Sequence, residues 1–141
     1  MAGELLLDTG ALVSLLDRHQ THHGACTRAY AEWTGAVVST EAVLTEATHL
    51  LARAKDGPVR CLDFFLFGGA LLVPSSPAAL KRARALMVKY ADQPMDYADA
   101  TLVALAEELN TRMVFTTDQN DFAVYRTKNR RAFTLIPESL N

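Results

Sequence analysis

Short apolar runs alternate with segments of helical periodicity along most of this sequence, and that order limits the folds the chain can adopt. Each run holds three to five residues, whereas the segments between them repeat apolar residues every three or four positions. Alternating strands and helices predict an α/β fold, with a parallel sheet of about five strands wrapped by helices through right-handed crossovers. The predicted strands are residues 5–7, 36–38, 71–73, 113–117 and 133–136.

The helices are predicted from the same periodicity and from the residues that interrupt it. Ser39 and Thr40 are suited to cap a helix whose apolar stripe includes Leu50 and Leu51 and which stops near residues 56–58. Pro77 can occupy the first turn of a later helix. The predicted helical segments are residues 11–16, 25–33, about 41–56, 59–67, 77–91 and 97–109.

The length of 141 residues and a hydrophobic fraction of 50% fit one globular domain spanning residues 1–141. The charged fraction of 21% is ordinary, which argues against disorder and coiled coil. Cys26 and Cys61 lie outside any C-x-x-C spacing, so neither a disulfide scaffold nor a cysteine zinc site is expected. Because no apolar run approaches the ~20 residues of a membrane span, and no basic leader is present, we expect a cytoplasmic protein.

Two acidic residues follow predicted strands at the point where each strand ends. Asp8 comes directly after the first strand and Asp118 directly after the fourth. The carboxyl ends of parallel strands meet at one edge of a sheet, where ligands bind in this class of fold. Glu46 borders the apolar stripe of its helix, and the spacing of Asp99 from Leu102 also turns it toward the core. Because isolated buried carboxylates are costly, we expect the four acids to share one site.

Each of these acids also has a purely structural interpretation. Asp8 could begin the helix after it, and Asp118 could form a turn with Asn120. Asp96 could cap a helix together with Asp99, three residues on. Taken together, these roles do not explain why two strand ends and two core-facing helix positions are all acidic.

Four carboxylates without histidine or cysteine form a set of hard oxygen ligands, which suits Mg²⁺ or Mn²⁺ better than zinc. Clustered carboxylates repel one another, so at least one pKa should be raised when no metal is bound. Such a site suits phosphodiester hydrolysis, because a metal can activate water and neutralise charge on the phosphate.

At these residues the sequence resembles the PIN-domain ribonucleases, and among them the VapC-like toxins of bacterial type II toxin–antitoxin pairs. The resemblance implies a single PIN-like domain acting as an Mg²⁺-dependent endoribonuclease on RNA, with an antitoxin protein as its partner and a homodimer as its assembly. Large apolar residues at 30–33 and 64–67 would permit that dimer. The matching segments keep one order along nearly the whole chain and are residues 5–9, 38–39 with Glu46, 96–106, 115–118 and 121–122.

Carried over residue by residue, the resemblance implies Asp8, Glu46, Asp99 and Asp118 as the metal-binding and catalytic residues. Asp121 lies one helical turn after Asp118 and could complement or replace it. A hydroxyl is expected near the fourth acid, and a small polar residue after the first. The residues expected beside the four acids are Thr9, Asp96, Thr117 and Asp121.

The sign of the charge changes near the end of the chain. Residues 92–121 hold seven acidic residues against Arg112 alone, whereas residues 122–141 are mainly basic. Because these bases follow the fourth acid, they could hold the RNA backbone while the acids engage one phosphate. A solvated hairpin is the alternative. The RNA-binding residues predicted in this way are Arg126, Lys128, Arg130 and Arg131.

Other functions are also compatible with parts of the sequence. Residues 6–11 resemble the active-site segment of retroviral-type aspartic proteases, but that fold is almost entirely β and this chain has at least four convincing helices. Dehalogenase-like phosphatases place an Asp after the first strand but expect another where Gly10 stands. A housekeeping RNA-processing nuclease, and a PIN-like module that binds RNA or protein without cutting, stay open as alternatives.

Overall fold

The strands of the computed structural model, which describes residues 3–141, form one parallel five-stranded sheet. They are β1 (Leu5–Leu7), β2 (Val37–Thr40), β3 (Leu71–Val73), β4 (Met113–Phe115) and β5 (Thr134–Ile136). Their order across the sheet is β3-β2-β1-β4-β5, and every neighbouring pair is parallel. The α/β fold predicted from the alternation of strands and helices is therefore confirmed.

Helices follow the strands and cover the sheet. Within residues 3–141, no helix is long and apolar enough to cross a membrane. The helices are α1 (Thr9–Leu16), α2 (His23–Glu32), α3 (Glu41–Leu50), α4 (Gly57–Leu66), α5 (Pro77–Lys89), α6 (Tyr97–Leu109) and α7 (Gln119–Val124).

The centre of the sheet is β1, whose three leucines have no solvent exposure. Leu6 lies opposite Val38 on one side and Val114 on the other. The chain runs outward from β1 to β2 and β3, then returns to place β4 on the opposite side of β1. The strand order therefore reverses beside β1, and the carboxyl ends of β1 and β4 are the place where ligands bind in this class of fold.

The most deeply buried helix is α6, which packs against α5 and against the sheet. Ala100, Leu102, Val103 and Ala106 have no solvent exposure. The small alanines let the helix approach its neighbours closely, and Asn110 ends it in a left-handed conformation. Asp99 is the one acidic side chain among the buried residues of α6.

Two local predictions were wrong. The helix after β2 ends at Leu50 instead of near residue 56, and residues 51–56 form turns. Leu50 is 58% exposed, so it does not belong to the buried stripe. Gly57 approaches the carbonyl of Leu51 so closely that a Cβ there would overlap it, because the chain folds back on itself at this point.

The aromatic residues expected at a dimer surface are partly used inside the chain. The Tyr30 hydroxyl donates to the carbonyl of Gly69 at 2.7 Å, and its ring packs against Phe64 with centroids 5.7 Å apart. Phe67, in contrast, is 83% exposed. Only part of the segment at 64–67 is therefore available to a partner.

Candidate active site

The first acid lies where β1 passes into α1. Asp8 is buried, and its carboxylate accepts no capping hydrogen bond from the helix it precedes. Its Oδ2 accepts a hydrogen bond from Thr116 Oγ1 at 2.7 Å instead. The same Thr116 hydroxyl accepts from the backbone N–H of Asp118 at 2.9 Å. One fully buried hydroxyl thus links the first and fourth acids.

The third acid, Asp99, lies in the first turn of α6. Asp96 caps this helix, since its Oδ1 accepts from the Asp99 N–H at 2.9 Å, and Asp99 itself is only 8% exposed. The Asp99 carboxylate does not return the capping bond but accepts from the Tyr125 hydroxyl at 3.0 Å. The capping interpretation therefore holds for Asp96 and leaves Asp99 for another role.

The other two acids are more open. Glu46 is half-buried on α3, and Asp118 is exposed at the residue before α7. The Asp118 carboxylate, like that of Asp8, makes no capping hydrogen bond to the helix it precedes. Asp121 lies in the first turn of α7, and its charge adds to the rise in the pKa of Asp118 that burial causes.

The electrostatics show that these carboxylates lie near one another. Burial raises the pKa of Asp8 to about 7, opposed by the Thr116 hydrogen bond and reinforced by the charges of Asp118 and Glu46. Burial raises the pKa of Asp99 to about 8, with a further contribution from Asp8. The pKa values of Glu46 and Asp118 are also raised, first by loss of hydration and then by neighbouring acidic charges. We call Asp8, Glu46, Asp99 and Asp118 the acidic edge.

The donors of the acidic edge fit a hard divalent cation that keeps part of its water shell. Within residues 3–141, no group of three or more His, Cys, Asp or Glu side chains is arranged so that it could hold a metal ion by itself. Mg²⁺ does not need one, because it usually binds one or two carboxylates, several waters and substrate phosphate. The Thr9 hydroxyl, directly after Asp8, is buried and has no close hydrogen-bond partner, but it lies near enough to Glu46 to oppose the rise in the pKa of that carboxyl group.

The hydroxyl in contact with the acids belongs to Thr116, whereas the resemblance pointed to Thr117. Thr117 Oγ1 lies against Gly10, where an added Cβ would overlap it. Successive side chains of an extended segment point to opposite sides, so only one of the two threonines can face Asp8. Thr116 is two residues after Val114, so the two side chains lie on the same side of an extended segment. This spacing can be seen in the sequence. No comparable signal in the sequence indicates the contact of Tyr125 with Asp99.

The basic segment forms a hairpin that leads away from the acids. Residues 126–132, the basic hairpin, are closed by an antiparallel bridge between Arg126 and Ala132. The Arg126 Nη1 donates to three backbone carbonyls at the end of α7, from residues 123–125. The side chains of Lys128, Arg130 and Arg131 are exposed.

The hairpin is anchored at the far end of α6. The backbone N–H of Lys128 donates to Glu107 Oε2 at 2.7 Å, and Glu107 also pairs with Arg82 through two hydrogen bonds. Glu107 lies eight residues after Asp99, which is about 12 Å along a helix. The exposed bases are therefore beside the acidic edge in sequence but not in direct contact with it.

Most of the chain matches a known protein family. The family profile described as the PIN domain matches residues 5–128. The chain belongs to the PIN domain family. It is 29% identical over 135 residues to ribonuclease VapC26 of Mycobacterium tuberculosis, an alignment that covers 94% of this chain and 100% of that protein. The resemblance inferred from the acidic motifs is thus confirmed.

Solved structures with little sequence identity share the fold. The crystal structure of Mycobacterium tuberculosis VapC20, a toxin that cleaves the sarcin–ricin loop, matches with a TM-score of 0.75 and 19% identity, covering 82% of this chain and 92% of that one. A toxin–antitoxin complex from Klebsiella pneumoniae matches with a TM-score of 0.63 and 20% identity, covering 85% and 91%. VapBC2 of Rickettsia felis, bound to a fragment of promoter DNA, matches with a TM-score of 0.61 and 15% identity, covering 94% and 96%.

Proposed function

We propose that this protein is a metal-dependent endoribonuclease that cleaves RNA phosphodiester bonds at the acidic edge, as the toxin of a toxin–antitoxin pair. The observation that carries the proposal is the gathering of four acidic side chains, each with a raised pKa, from four separate elements of the fold. The chain's similarity to a VapC ribonuclease supports RNA as the substrate.

The four acids would have different roles, according to their exposure. Asp8 and Asp99 are buried and each is oriented by one hydroxyl, so they would hold the cation in a fixed place. Glu46 and Asp118 lie at the open side, where they would bind the cation through its waters and face the RNA. When bound, Mg²⁺ or Mn²⁺ supplies the positive charge that activates a water and offsets the charge of the phosphate.

Cleavage of a fluorescent single-stranded RNA by the purified protein tests this proposal. We expect cleavage with Mg²⁺ or Mn²⁺, none in excess EDTA, and at least a 100-fold loss in Asp99→Asn, by analogy with other lost metal ligands (about 100-fold or more). Asp63→Asn on α4 is the matched control and should cut like the wild type. Undiminished cleavage in EDTA would contradict the metal site, and RNA binding without cleavage would favour the non-catalytic module.

An antitoxin partner is part of the proposal. Val59, Leu62 and Leu66 form an exposed apolar stripe at helical spacing on α4, with exposures of 63, 46 and 74%. An amphipathic segment of a small protein would cover such a stripe. The short protein encoded beside this gene should copurify with it and inhibit cleavage, and Leu62→Ser with Leu66→Ser should weaken the complex. A neighbouring frame without such a protein would favour housekeeping RNA processing.

A homodimer is also proposed. Leu80 and Val88 on α5, together with Tyr97, form a second exposed apolar face that a copy of the chain could cover. Sedimentation at micromolar concentration should give twice the mass of 15.4 kDa. A single species of the monomer mass would remove the dimer from the proposal.

A further inference from the structure

A tyrosine that follows α7 contacts one of the two buried acids. The Tyr125 hydroxyl donates to Asp99 Oδ2 at 3.0 Å, and the tyrosine side chain has no solvent exposure. Among residues 3–141, it is the one side chain that donates a hydrogen bond to the Asp99 carboxylate. The bond therefore decides how that carboxylate is oriented.

The ring of Tyr125 is held in place from two sides. It packs edge-on against Tyr90 and Phe122, with ring centroids 5.2 Å apart in both pairs. Tyr90 is fixed in turn, because its hydroxyl accepts from the backbone N–H of Arg126 at 2.9 Å. A ring packed in this way cannot swing its hydroxyl away from Asp99 without disrupting the cluster.

The arrangement repeats at the other buried acid. Thr116 donates to Oδ2 of Asp8 as Tyr125 donates to Oδ2 of Asp99. In each case one carboxylate oxygen accepts from a buried hydroxyl, and the Asp8 carboxylate also interacts with the backbone N–H of Thr9. Among residues 3–141, the Tyr125 hydroxyl is the one hydrogen-bond donor to the Asp99 carboxylate, so Oδ1 of Asp99 is open to a ligand.

We propose that Tyr125 is a positioning residue of the metal site, whose hydroxyl holds Oδ2 of Asp99 and leaves Oδ1 for a divalent cation. The inference rests on the proposed function, because it assumes that Asp99 binds metal. Hydrogen bonds to metal ligands orient them, and their removal typically lowers metal affinity or activity about 10–100-fold.

Mn²⁺ binding without RNA, followed by the electron paramagnetic resonance signal of free Mn²⁺, tests the inference. Tyr125→Phe keeps the ring and removes the hydroxyl, and we expect its Mn²⁺ affinity to fall about 10-fold or more. Tyr90→Phe is the matched control, because it removes a buried hydroxyl of the same cluster that bonds backbone and not a carboxylate. It should lose stability and bind Mn²⁺ like the wild type.

The outcomes separate this inference from the proposed function. If Asp99→Asn abolishes Mn²⁺ binding while Tyr125→Phe binds like the wild type, Tyr125 is structural only and the inference is overturned alone. If the wild type does not bind Mn²⁺, the metal site and the inference are overturned together. If Tyr90→Phe loses as much affinity as Tyr125→Phe, the effect belongs to packing and the inference is also overturned.

A second measurement does not depend on the Tyr125→Phe variant. The chain has four tyrosines, so 3-fluorotyrosine labelling gives four fluorine resonances, and single replacements of Tyr30, Tyr90 and Tyr97 assign the fourth. We expect the Tyr125 resonance to shift during an Mg²⁺ titration. The Tyr30 resonance, whose hydroxyl bonds the Gly69 carbonyl, should stay in place. A Tyr125 resonance that does not move at saturating Mg²⁺ overturns the inference.

Discussion

The acidic edge and the basic hairpin follow one another in the chain but are held in different ways. At the acidic edge, strand and helix ends carry Asp8 and Asp99 into the interior, where hydroxyls fix the carboxylates. In the hairpin, the backbone is anchored through Lys128 to Glu107 while the basic side chains reach into solvent. Removal of a buried acid should therefore change both stability and chemistry, whereas removal of a base should change RNA binding alone.

The largest effect is expected at the acidic edge. Asp8→Asn should lower cleavage at saturating RNA at least about 100-fold, because it removes a buried oxygen ligand at the centre of the site. The variant should fold and melt at a higher temperature than the wild type, since one buried charge, which neighbouring acids also repel, is gone. A variant that unfolds would instead assign Asp8 the structural role of starting α1.

A smaller effect is expected at the open side of the same edge. Glu46→Gln should lower cleavage about 10–100-fold and leave the melting temperature nearly unchanged, because Glu46 is only half-buried. Glu41→Gln, one turn earlier on α3 and exposed, is the matched control and should retain full activity. Equal losses in both variants would mean that general negative charge on α3 is responsible.

The third expectation concerns how stability depends on pH when no metal is present. The pKa of Asp8 is 3.8 in an unstructured chain and about 7 in the folded protein. Between these values the folded state binds more protons than the unfolded chain, so rising pH favours unfolding. The stability advantage of Asp8→Asn should be small at about pH 4 and should grow by about 4 kcal/mol by about pH 8.

Thermal unfolding in EDTA at the two pH values measures this advantage. Saturating Mg²⁺ should stabilise the wild type at the higher pH and leave Asp8→Asn nearly unaffected, because binding to the folded state alone adds to its stability. If Asp8→Asn is more stable than the wild type by the same amount at both pH values, desolvation of the Asp8 charge is not the cause of its greater stability.

The smallest effect is expected in the basic hairpin. Lys128→Gln with Arg131→Gln should weaken RNA binding and reduce the salt dependence by a slope of ~0.7 per lost phosphate contact, with little change at saturating RNA. Arg53→Gln with Lys55→Gln, in the turn after α3, is the matched control. An unchanged salt slope would make the hairpin a solvated surface loop, and a loss of turnover would bring an arginine into the active site.

The sequence predicted those parts of the site that local patterns determine. Asp8 follows a run of three leucines, and Asp99 shares a helix face with Leu102, so burial and position could both be derived from periodicity. The end of α3 could not be derived from periodicity, because it depends on the close approach of Gly57 to Leu51. Local helix propensity alone favours continuing the helix.

Contacts between residues far apart in sequence account for the features of the site that could not be predicted. The bond from Tyr125 to Asp99 joins positions in different helical regions, and the anchor between Lys128 and Glu107 turns the hairpin toward the other end of α6. Periodicity reports which face of an element is buried but not which neighbour lies against it. The bases follow the fourth acid closely in sequence, but in the structure they lie farther from the acidic edge than that spacing suggests.

Gly10 shows what a short motif can mean in a given fold. Residues 6–11 read like a protease signature, but here Gly10 is the point at which the Thr117 hydroxyl touches α1. A side chain at position 10 would force Thr117 into another rotamer and disturb the loop that carries Asp118. Positions 10 and 117 are thus packed as a pair, and a larger residue at the first requires the Thr117 side chain to move.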